Sequence, residues 1–267
     1  MEVNGVSSLM KQIKCSVSRR VAKIVWAILG IPFLLSSLNF PQVEQPQVTT
    51  SGDYVILLHG LARSNRSMRK LEKHLANHGY RVINVDYPST KYPIEYLAEN
   101  VLSEVVSSCD SIPETKIHFV THSMGGIIVR YFLKHYGIAN LGRVVMLSPP
   151  NQGSELVDHL KDSVVFKKRN GPAGQQLGTD TDSLSLKLGP VDFELGVITG
   201  DRSFNPVSSM ILPGPDDGVV SVARAKVKGM SNFIVMPNTH TFIMKSKRVI
   251  RQALHFLDHG EFVHKKS

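Results

Sequence analysis

The sequence feature that most constrains the fold of this chain is the stretch 116–136, KIHFVTHSMGGIIVRYFLKHY. Its first part is a short apolar run, which is typical of a buried strand. After the break at THSMGG, apolar residues return at helical spacing, at positions 127, 128, 131, 132 and 136. The pattern therefore predicts a β-strand, a sharp turn centred on Ser123, and an α-helix.

A serine on such a turn has two interpretations. In the first, the turn is a nucleophile elbow: its hydroxyl stands clear of both elements, and the helix N-terminus turns its positive end and free N–H groups toward it. In the second, Ser123 is an ordinary helix N-cap. The usual elbow pattern is G-x-S-x-G, and Thr121 replaces its first glycine here, while Gly125 and Gly126 keep the turn uncrowded. These residues alone leave both interpretations open.

The rest of the chain alternates short apolar runs with amphipathic segments. Strands separated by helices form parallel sheets that are covered on both faces. The sequence therefore predicts an α/β fold with a mostly parallel central sheet and helices on both faces. The predicted strands are 53–58, 81–86, 143–147, 196–199 and 232–236, in addition to the one before Ser123, and the other predicted helices are 67–77, 94–108 and 246–259.

Residue types that activate a serine follow Ser123 in the chain. A serine needs a base within hydrogen-bond reach and a third group to orient that base, and after an elbow the order is Ser, Asp or Glu, His. The sequence offers Asp216-Asp217-Gly218 and then His240, both where strands give way to loops. We expect His240 to be the base and Asp217, which adjoins the Gly-Val-Val run, to orient it.

These assignments compete with simpler ones. Asp-Gly is a strong turn signal, so the two aspartates also fit a β-turn, and Asp216 is hard to separate from its neighbour. His240 also fits an ordinary loop histidine. The remaining candidate bases, in or after the last helix, are less suitable: His255, His259 and His264.

An oxyanion that forms beside Ser123 needs backbone donors. The N–H of Met124, the residue after the serine, is expected to be one of them. The other is expected from the loop after the first buried strand, most simply from Leu61. His59 in the same loop fits either a site residue or a packing residue that holds the loop by hydrogen bonds.

The N-terminal part differs in composition from the rest. Residues 1–23 are polar and basic, and the stretch 24–35 is apolar and uncharged, so residues 1–40 are expected to be a signal sequence or a short membrane anchor. A buried helix outside the core is the simpler alternative. Residues 41–52 form a polar linker, and the main domain is expected at 53–260. Residues 155–195 break the strand–helix rhythm and are expected to form a cap of loops or helices.

Composition excludes some functions. The formal net charge is +9, but basic residues are not clustered with aromatics as in nucleic-acid-binding modules, so no nucleic-acid partner is expected. A weak attraction to anionic membrane surfaces fits the charge better. No Cys/His cluster has the spacing of a zinc site, so no metal is expected.

Together these motifs resemble the α/β-hydrolase superfamily, in its lipase/esterase branch. The resemblance covers about residues 53–260 and lies in VILLHG, HSMGG, PPNQGS, DDGVV and NTH. It implies the α/β-hydrolase fold, a Ser123–Asp217–His240 triad, an oxyanion hole at Leu61 and Met124, and hydrolysis of acyl esters without metal or organic cofactor. The departure at Thr121 puts only the packing of the elbow in question.

Three functions are compatible with these residues. The first is an ester hydrolase of the carboxylesterase or lipase kind, acting on acyl esters or lipids near a membrane, in a membrane-anchored or exported protein. The second is an acyltransferase that uses the same acyl-enzyme. The third is a non-catalytic scaffold that binds a lipid or a protein.

Overall fold

The computed structural model describes residues 52–109 and 115–264. Its centre is a six-stranded sheet in which every neighbouring pair is parallel. The strand order is β2-β1-β3-β4-β5-β6. The predicted α/β class with a parallel sheet is thus confirmed. The strands are β1 (Tyr54–Leu58), β2 (Arg81–Val85), β3 (Ile117–His122), β4 (Leu141–Leu147), β5 (Leu195–Gly200) and β6 (Asn232–Met236).

The strands are connected by helices of very different length. Residues 94–109 are continuously helical, with a π-helical stretch at Leu97–Leu102 between two α-helical parts. Two 3₁₀ turns lie at Asn65–Ser67 and Ile243–Lys245. The α-helices are α1 (Arg69–Ala76), α2 (Ile94–Tyr96), α3 (Ser103–Cys109), α4 (Met124–His135), α5 (Glu155–Leu160), α6 (Val164–Gln175), α7 (Leu184–Lys187), α8 (Pro206–Ile211), α9 (Val222–Ala225) and α10 (Lys247–His259).

Helices cover both faces of the sheet, and each face has its own apolar core. Alternate residues of a strand point to opposite faces, so Val55 and Leu57 of β1 pack on one side and Ile56 and Leu58 on the other. The first side is closed by α1 and α10. The second is closed mainly by α4 and by the helical residues 94–109. Burial of the strands on both faces explains their nearly uninterrupted apolar sequence.

The strand order creates a crevice at one edge of the sheet. The chain leaves β1 toward β2 on one side, and it leaves β3 toward β4 on the other. In open parallel sheets, the place where the order reverses leaves a gap between adjacent loops, and ligands bind there, outside the carboxyl ends of the strands. The loops after β1 and β3, which contain Leu61 and Ser123, flank this gap.

Residues 155–195 contain three helices, α5, α6 and α7. The second of these is broken at Gly171, which has φ of 61° and is followed by Pro172. A Cβ at Gly171 would lie 1.7 Å from the backbone oxygen of Thr90, so this position requires glycine. The role of the segment as a cap stays a prediction.

The predicted signal or anchor at residues 1–40, and most of the predicted linker at 41–52, lie outside the described residues. Among residues 52–109 and 115–264, no helix combines the length and apolar character needed to cross a bilayer.

Candidate active site

Ser123 lies between β3 and α4 in a strained backbone conformation, with φ of 53° and ψ of −124°. Its N–H donates to the carbonyl of Leu147, 2.9 Å away, which ties the turn to the neighbouring strand β4. Although Ser123 occupies the N-cap position of α4, its side chain makes no capping hydrogen bond. The ordinary N-cap interpretation therefore does not describe this serine, because its hydroxyl is turned away from the helix.

Two glycines allow α4 to pack closely behind the turn. A Cβ at Gly125 would lie 2.8 Å from the backbone oxygen of Leu58, which is closer than real Cβ contacts. A Cβ at Gly126 would lie 3.0 Å from Met146 Sδ and 3.2 Å from Thr121 Oγ1. Thr121 occupies the position where the usual pattern has glycine. Its side chain fits there because Gly126, the residue that faces it on α4, has no side chain.

The structure brings Ser123, His240 and Asp217 together in one hydrogen-bonded chain. His240 Nε2 lies 3.0 Å from Ser123 Oγ, and His240 Nδ1 lies 2.9 Å from Asp217 Oδ2. Because an ionised carboxylate only accepts hydrogen bonds, Nδ1–H donates to Asp217, and Nε2 is left to accept from the serine hydroxyl. A further bond joins the backbone N–H of His240 to the carbonyl of Asp217 at 2.9 Å.

The two adjacent aspartates have separate partners. Asp217 Oδ1 accepts from the N–H groups of Val219 and Val220, at 3.0 and 2.8 Å. Asp216 Oδ1 instead accepts from Gly218 N–H at 2.7 Å and from the Ser209 hydroxyl at 3.0 Å. The turn and the histidine contact therefore coexist, since Asp217 uses one oxygen for each.

The surroundings of Asp217 favour its ionised form. Burial acts to raise its pKa, but the charge and hydrogen bond of His240, the nearby Ser148 and the N–H of Val220 outweigh burial, so the pKa lies below its ordinary value. The carboxylate is therefore charged at neutral pH while it is fully enclosed, which suits a group that accepts a hydrogen bond from an imidazole.

His122 contacts His240 and helps to hold it in place. Its Nε2–H donates to the backbone carbonyl of His240 at 2.9 Å, and the two rings are 4.8 Å apart. Burial and the proximity of His240 hold the pKa of His122 well below its ordinary value, so the ring is neutral. Gly60 lies against this ring, because a Cβ there would be 2.8 Å from His122 Nδ1.

The loop after β1 is held by residues of the loop after β2. Tyr87 stacks on the His59 ring with centroids 4.1 Å apart, and its hydroxyl donates to the His59 carbonyl. Ser89 Oγ accepts from the N–H of Ala62 at 3.1 Å. His59 is itself fully buried, and burial lowers its pKa. His59 therefore fits the packing interpretation, in which it fixes the position of Leu61.

Two backbone groups are expected to act as oxyanion donors beside Ser123. Leu61, in the loop after β1, lines the same cavity as Ser123, and Met124 directly follows Ser123 as the first residue of α4. Within the part of the chain that the structure describes, neither the N–H of Leu61 nor that of Met124 donates a hydrogen bond to protein. Both groups are thus available to an oxygen atom beside Ser123, and the start of α4 adds the positive end of a helix dipole.

A cavity of about 760 Å³ lies above these groups, and Ser123 and His240 both line it. One wall comes from the segment 155–195, and it is largely apolar. The apolar lining residues of that wall are Leu156, Val157, Leu160, Val165, Phe166 and Leu177. The volume suits a small-molecule ligand of moderate size, for which such sites commonly provide 300–1,000 Å³.

Backbone strain is concentrated at this edge of the sheet. Among the described residues, the non-glycine residues with positive φ are Ala62, Ser123 and Ser148, with φ of 53°, 53° and 49°. All three lie in loops that follow the carboxyl ends of strands. Each such conformation costs about 1–3 kcal/mol and persists only where the surroundings enforce it.

Three residues that contribute to the site have no signal of their own in the sequence. His122 was part of the turn motif, but nothing in its spacing indicates that it holds the carbonyl of His240. Ser89 and Tyr87 follow β2, and their contacts with the loop after β1 depend on the strand order, which the sequence pattern did not provide. The candidate bases His255 and His259 lie on α10, outside the cavity.

Comparison with known proteins gives the family. Residues 53–197 match the family model described as alpha/beta hydrolase fold. The lysosomal thioesterase PPT2 of Rattus norvegicus is 28% identical over 227 residues, and the alignment covers 73% of each chain.

Solved structures have the same fold. The propeptide form of lipase BlEst2 from Bacillus licheniformis superposes with a TM-score of 0.65 and 17% identity, over 84% of this chain and 54% of that one. Phospholipase PlaB from Legionella pneumophila superposes with a TM-score of 0.62 and 20% identity, over 77% and 57%. The chain thus spans little more than half the length of both structures. Since the family model covers more than half of the sequence, this chain belongs to the alpha/beta hydrolase fold family.

Proposed function

We propose that this protein is a serine hydrolase that cleaves acyl esters through an acyl-enzyme, with Ser123, His240 and Asp217 as its triad. The observation that carries the proposal is the unbroken chain of hydrogen bonds from Asp217 through His240 to the Ser123 hydroxyl, at the base of a cavity. A hydroxyl that bonds to an imidazole, which in turn bonds to a buried carboxylate, is the arrangement that activates a serine.

In the first half of the proposed reaction, Ser123 Oγ attacks the ester carbonyl while its proton passes to His240 Nε2. The carbonyl oxygen becomes an oxyanion beside the N–H groups of Leu61 and Met124. His240 then donates the proton to the departing alcohol, which leaves an acyl-enzyme. Asp217 keeps Nδ1 protonated and stabilises the imidazolium. In the second half, His240 takes a proton from a water molecule as its oxygen attacks the acyl carbonyl. The bond to Ser123 Oγ then breaks, His240 returns the proton to that oxygen, and the acid leaves.

The lining of the cavity favours a substrate with an apolar acyl group over a small polar substrate. The wall formed by the segment 155–195 is largely apolar, and it stands next to Ser123. Burying an acyl chain against such a wall removes apolar surface from water, at about 25 cal/mol per Å². We therefore propose that the segment 155–195 caps the site and receives the acyl chain.

The test of this function compares wild-type protein with Ser123→Ala on p-nitrophenyl butyrate and p-nitrophenyl palmitate. We expect the variant to lose about 10³-fold or more in kcat, because it lacks the attacking oxygen. A fluorophosphonate probe is expected to label the wild type at Ser123 and not the variant. Equal turnover by both proteins would refute the proposal, and turnover without labelling would place the reaction elsewhere.

A thioester substrate is a second candidate, because the relative that aligns over 73% of the chain is named a thioesterase. The same triad serves both substrates, since a thiolate leaves in place of an alkoxide. Hydrolysis of palmitoyl-coenzyme A and p-nitrophenyl palmitate by the same preparation separates the two. A higher kcat/KM for the thioester at equal acyl chain length would favour the thioesterase.

We also propose that the N-terminal residues direct the protein to a membrane or out of the cytoplasm. The support is the basic segment followed by the apolar stretch 24–35, together with a relative whose name places it in the lysosome. Fractionation of cells that express the full chain, with N-terminal sequencing of the product, tests this. A product found only in the cytoplasm with an intact N-terminus would contradict it.

A further inference from the structure

Helix α8 (Pro206–Ile211) exposes its apolar side chains and turns its polar ones inward, the opposite of an ordinary surface helix. Its large apolar side chains Val207 and Met210, three residues apart and so on one face, are 64% and 87% exposed. Its serines point inward: Ser208 is buried, and the Ser209 hydroxyl donates to Asp216. A helix that faces water normally shows the opposite distribution.

Helix α8 lies at the edge of the cavity that contains Ser123, because its Ser208 lines that cavity and α8 packs against α5. Val165, Phe204 and Phe242 line the cavity that contains Ser123, and each is at least half exposed. Val164 precedes Val165 at the start of α6 and is 79% exposed. We call this set the apolar rim, and it consists of Val164, Val165, Phe204, Val207, Met210 and Phe242. Exposed apolar residues gathered at one place mark a binding surface, whereas scattered ones do not.

Cationic side chains flank the apolar rim. Three of them, Lys167, Lys168 and Arg169, follow Val165 on α6 and are exposed. Lys245 Nζ lies 5.7 Å from the centre of the Phe242 ring. Two further exposed cations are Arg202, two residues before Phe204, and Arg63, whose guanidinium is 3.4 Å from Thr241 Oγ1.

Negative charge is scarce in the same segments. Within residues 162–169, 201–211 and 241–245 the carboxylates are Asp162 and Asp201, which lie 4.0 Å from Lys167 Nζ and 3.6 Å from Arg202 Nε. Asp216 also contacts α8, through the Ser209 hydroxyl, but it is buried. Asp162 and Asp201 are therefore partly neutralised, and the surroundings of the apolar rim keep an excess of positive charge.

We propose that the apolar rim docks onto the surface of an anionic lipid bilayer, with its apolar side chains between the acyl chains and its cations among the headgroups. Apolar side chains next to Lys and Arg are the composition of elements that lie in a membrane interface. The opening that the apolar rim borders would then face the lipid. The docking itself is independent of catalysis, and only the idea that Ser123 draws its substrate from the bilayer rests on the proposed function.

Charge complementarity favours this occupant over two others. A second copy of the chain would bring the same positive residues against each other. The basic segment 1–23, with five Lys or Arg and one Glu, would likewise be repelled. A lipid surface with negative headgroups attracts each of the flanking cations.

The test uses the full chain carrying Ser123→Ala, so that substrate turnover does not alter the vesicles. Sedimentation with vesicles of phosphatidylcholine alone, or mixed equally with phosphatidylserine, measures binding. We expect tighter binding to the mixed vesicles. Adding Val207→Ser and Met210→Ser should weaken that binding at least about tenfold, because apolar surface is lost from the interface. Val263→Ser, at an exposed valine that is not part of the apolar rim, is the matched control and should change binding less than about twofold.

A second measurement distinguishes binding through α8 from binding through the N-terminal segment. It uses no variant of the apolar rim, so misfolding of such variants does not affect it. Hydrogen exchange of the Ser123→Ala protein is measured with and without mixed vesicles. We expect slower exchange of the amides in α8 and residues 163–169 on vesicle addition, and no change in α10. Vesicle binding without protection of α8 would overturn the proposal.

Two other results would overturn it as well. Equal binding to both kinds of vesicle would remove the role of the cations. Protection of α8 that rises with protein concentration in the absence of lipid would identify a second copy of the chain as the occupant.

Discussion

At the scale of single residues, Asp216 and Asp217 acquire different surroundings although they are adjacent and chemically identical. Asp217 contacts His240, whereas Asp216 contacts Gly218 and Ser209. Consecutive residues in an extended turn point in different directions, so only one of two neighbours can reach a given ring. The position of Asp217 before a Gly-Val-Val run favours it as the histidine's partner, but only the observed contacts distinguish it from Asp216.

The aspartate pair gives a sharp prediction. Asp217→Asn should lower kcat on p-nitrophenyl butyrate by about 10³-fold or more, because the amide leaves His240 in the wrong tautomer and does not stabilise the imidazolium. Asp216→Asn is the matched control and should stay within about threefold of wild type, since its carboxylate is bonded away from the histidine. Steady-state kinetics of both variants decide this. Equal losses in the two variants would remove the assigned role of Asp217.

At the scale of secondary structure elements, the site depends on how closely α4 approaches β1. The helix begins directly after Ser123, and Gly125 on its first turn faces the carbonyls of Leu58 and His59. This contact sets the direction of the helix N-terminus and the position of the loop that contains Leu61. A longer separation would move both of the backbone groups that border the site.

We therefore expect Gly125→Ala to damage both stability and activity. Its Cβ would lie 2.8 Å from the Leu58 oxygen and 2.9 Å from the His59 oxygen, so the backbone must shift, at a cost of about 1–3 kcal/mol. Urea unfolding measures the loss, and kcat should fall with it.

Gly52→Ala is the control for this prediction, because its Cβ would meet only the flexible Arg81 side chain, at 3.4 Å. If Gly125→Ala unfolded at the same urea concentration as wild type, the proposed close approach would be wrong.

The elements also explain which parts of the fold were predictable. Strands buried on both faces have apolar runs, and each strand for which the sequence predicts bounds lies within two residues of them. These strands are β1, β2, β4, β5 and β6. The helices α8 and α9 were missed because they are short, and because α8 exposes its apolar residues, so periodicity gives no sign of a core-facing side. The order of the strands was not predictable either, since a parallel pattern is compatible with several orders.

At the scale of the whole molecule, three histidines are buried in positions that disfavour their charged form. His59 and His122 lie at the carboxyl edge of the sheet, and His118 lies in β3 near its other end. Burial lowers the pKa of all three, most strongly that of His122, and nearby Asp86 and Asp53 offset this only in part for His59 and His118. The folded protein therefore keeps these rings neutral at pH values where the unfolded chain protonates them.

This predicts a loss of stability in mild acid. Below about pH 6.5 the unfolded state binds more protons than the folded state, so the free energy of unfolding falls as pH falls, by up to about 1.4 kcal/mol per pH unit for each histidine. Above that pH the contribution is fully present. Urea unfolding at several pH values between pH 7.5 and pH 5 measures the slope.

His118→Gln should reduce that slope, and it is a useful variant because His118 lies away from Ser123. Its Nδ1 accepts from the Arg143 N–H at 2.8 Å, a bond that a glutamine oxygen is able to replace. A free energy of unfolding that stayed constant down to pH 5 would contradict the assignment of neutral buried rings.

The left-handed backbone of Ser123, with those of Ala62 and Ser148, carries a consequence for how such a protein responds to engineering. Glycine adopts these angles without penalty, so a laboratory selection that rewarded only survival on heating would favour glycine at position 123. Under the proposed function, in which Ser123 is the nucleophile, the survivors would be more heat-stable and would have lost their activity. Heat stability therefore favours glycine at position 123, whereas the proposed activity requires serine there. Any effort to stabilise the protein should leave Ser123 unchanged.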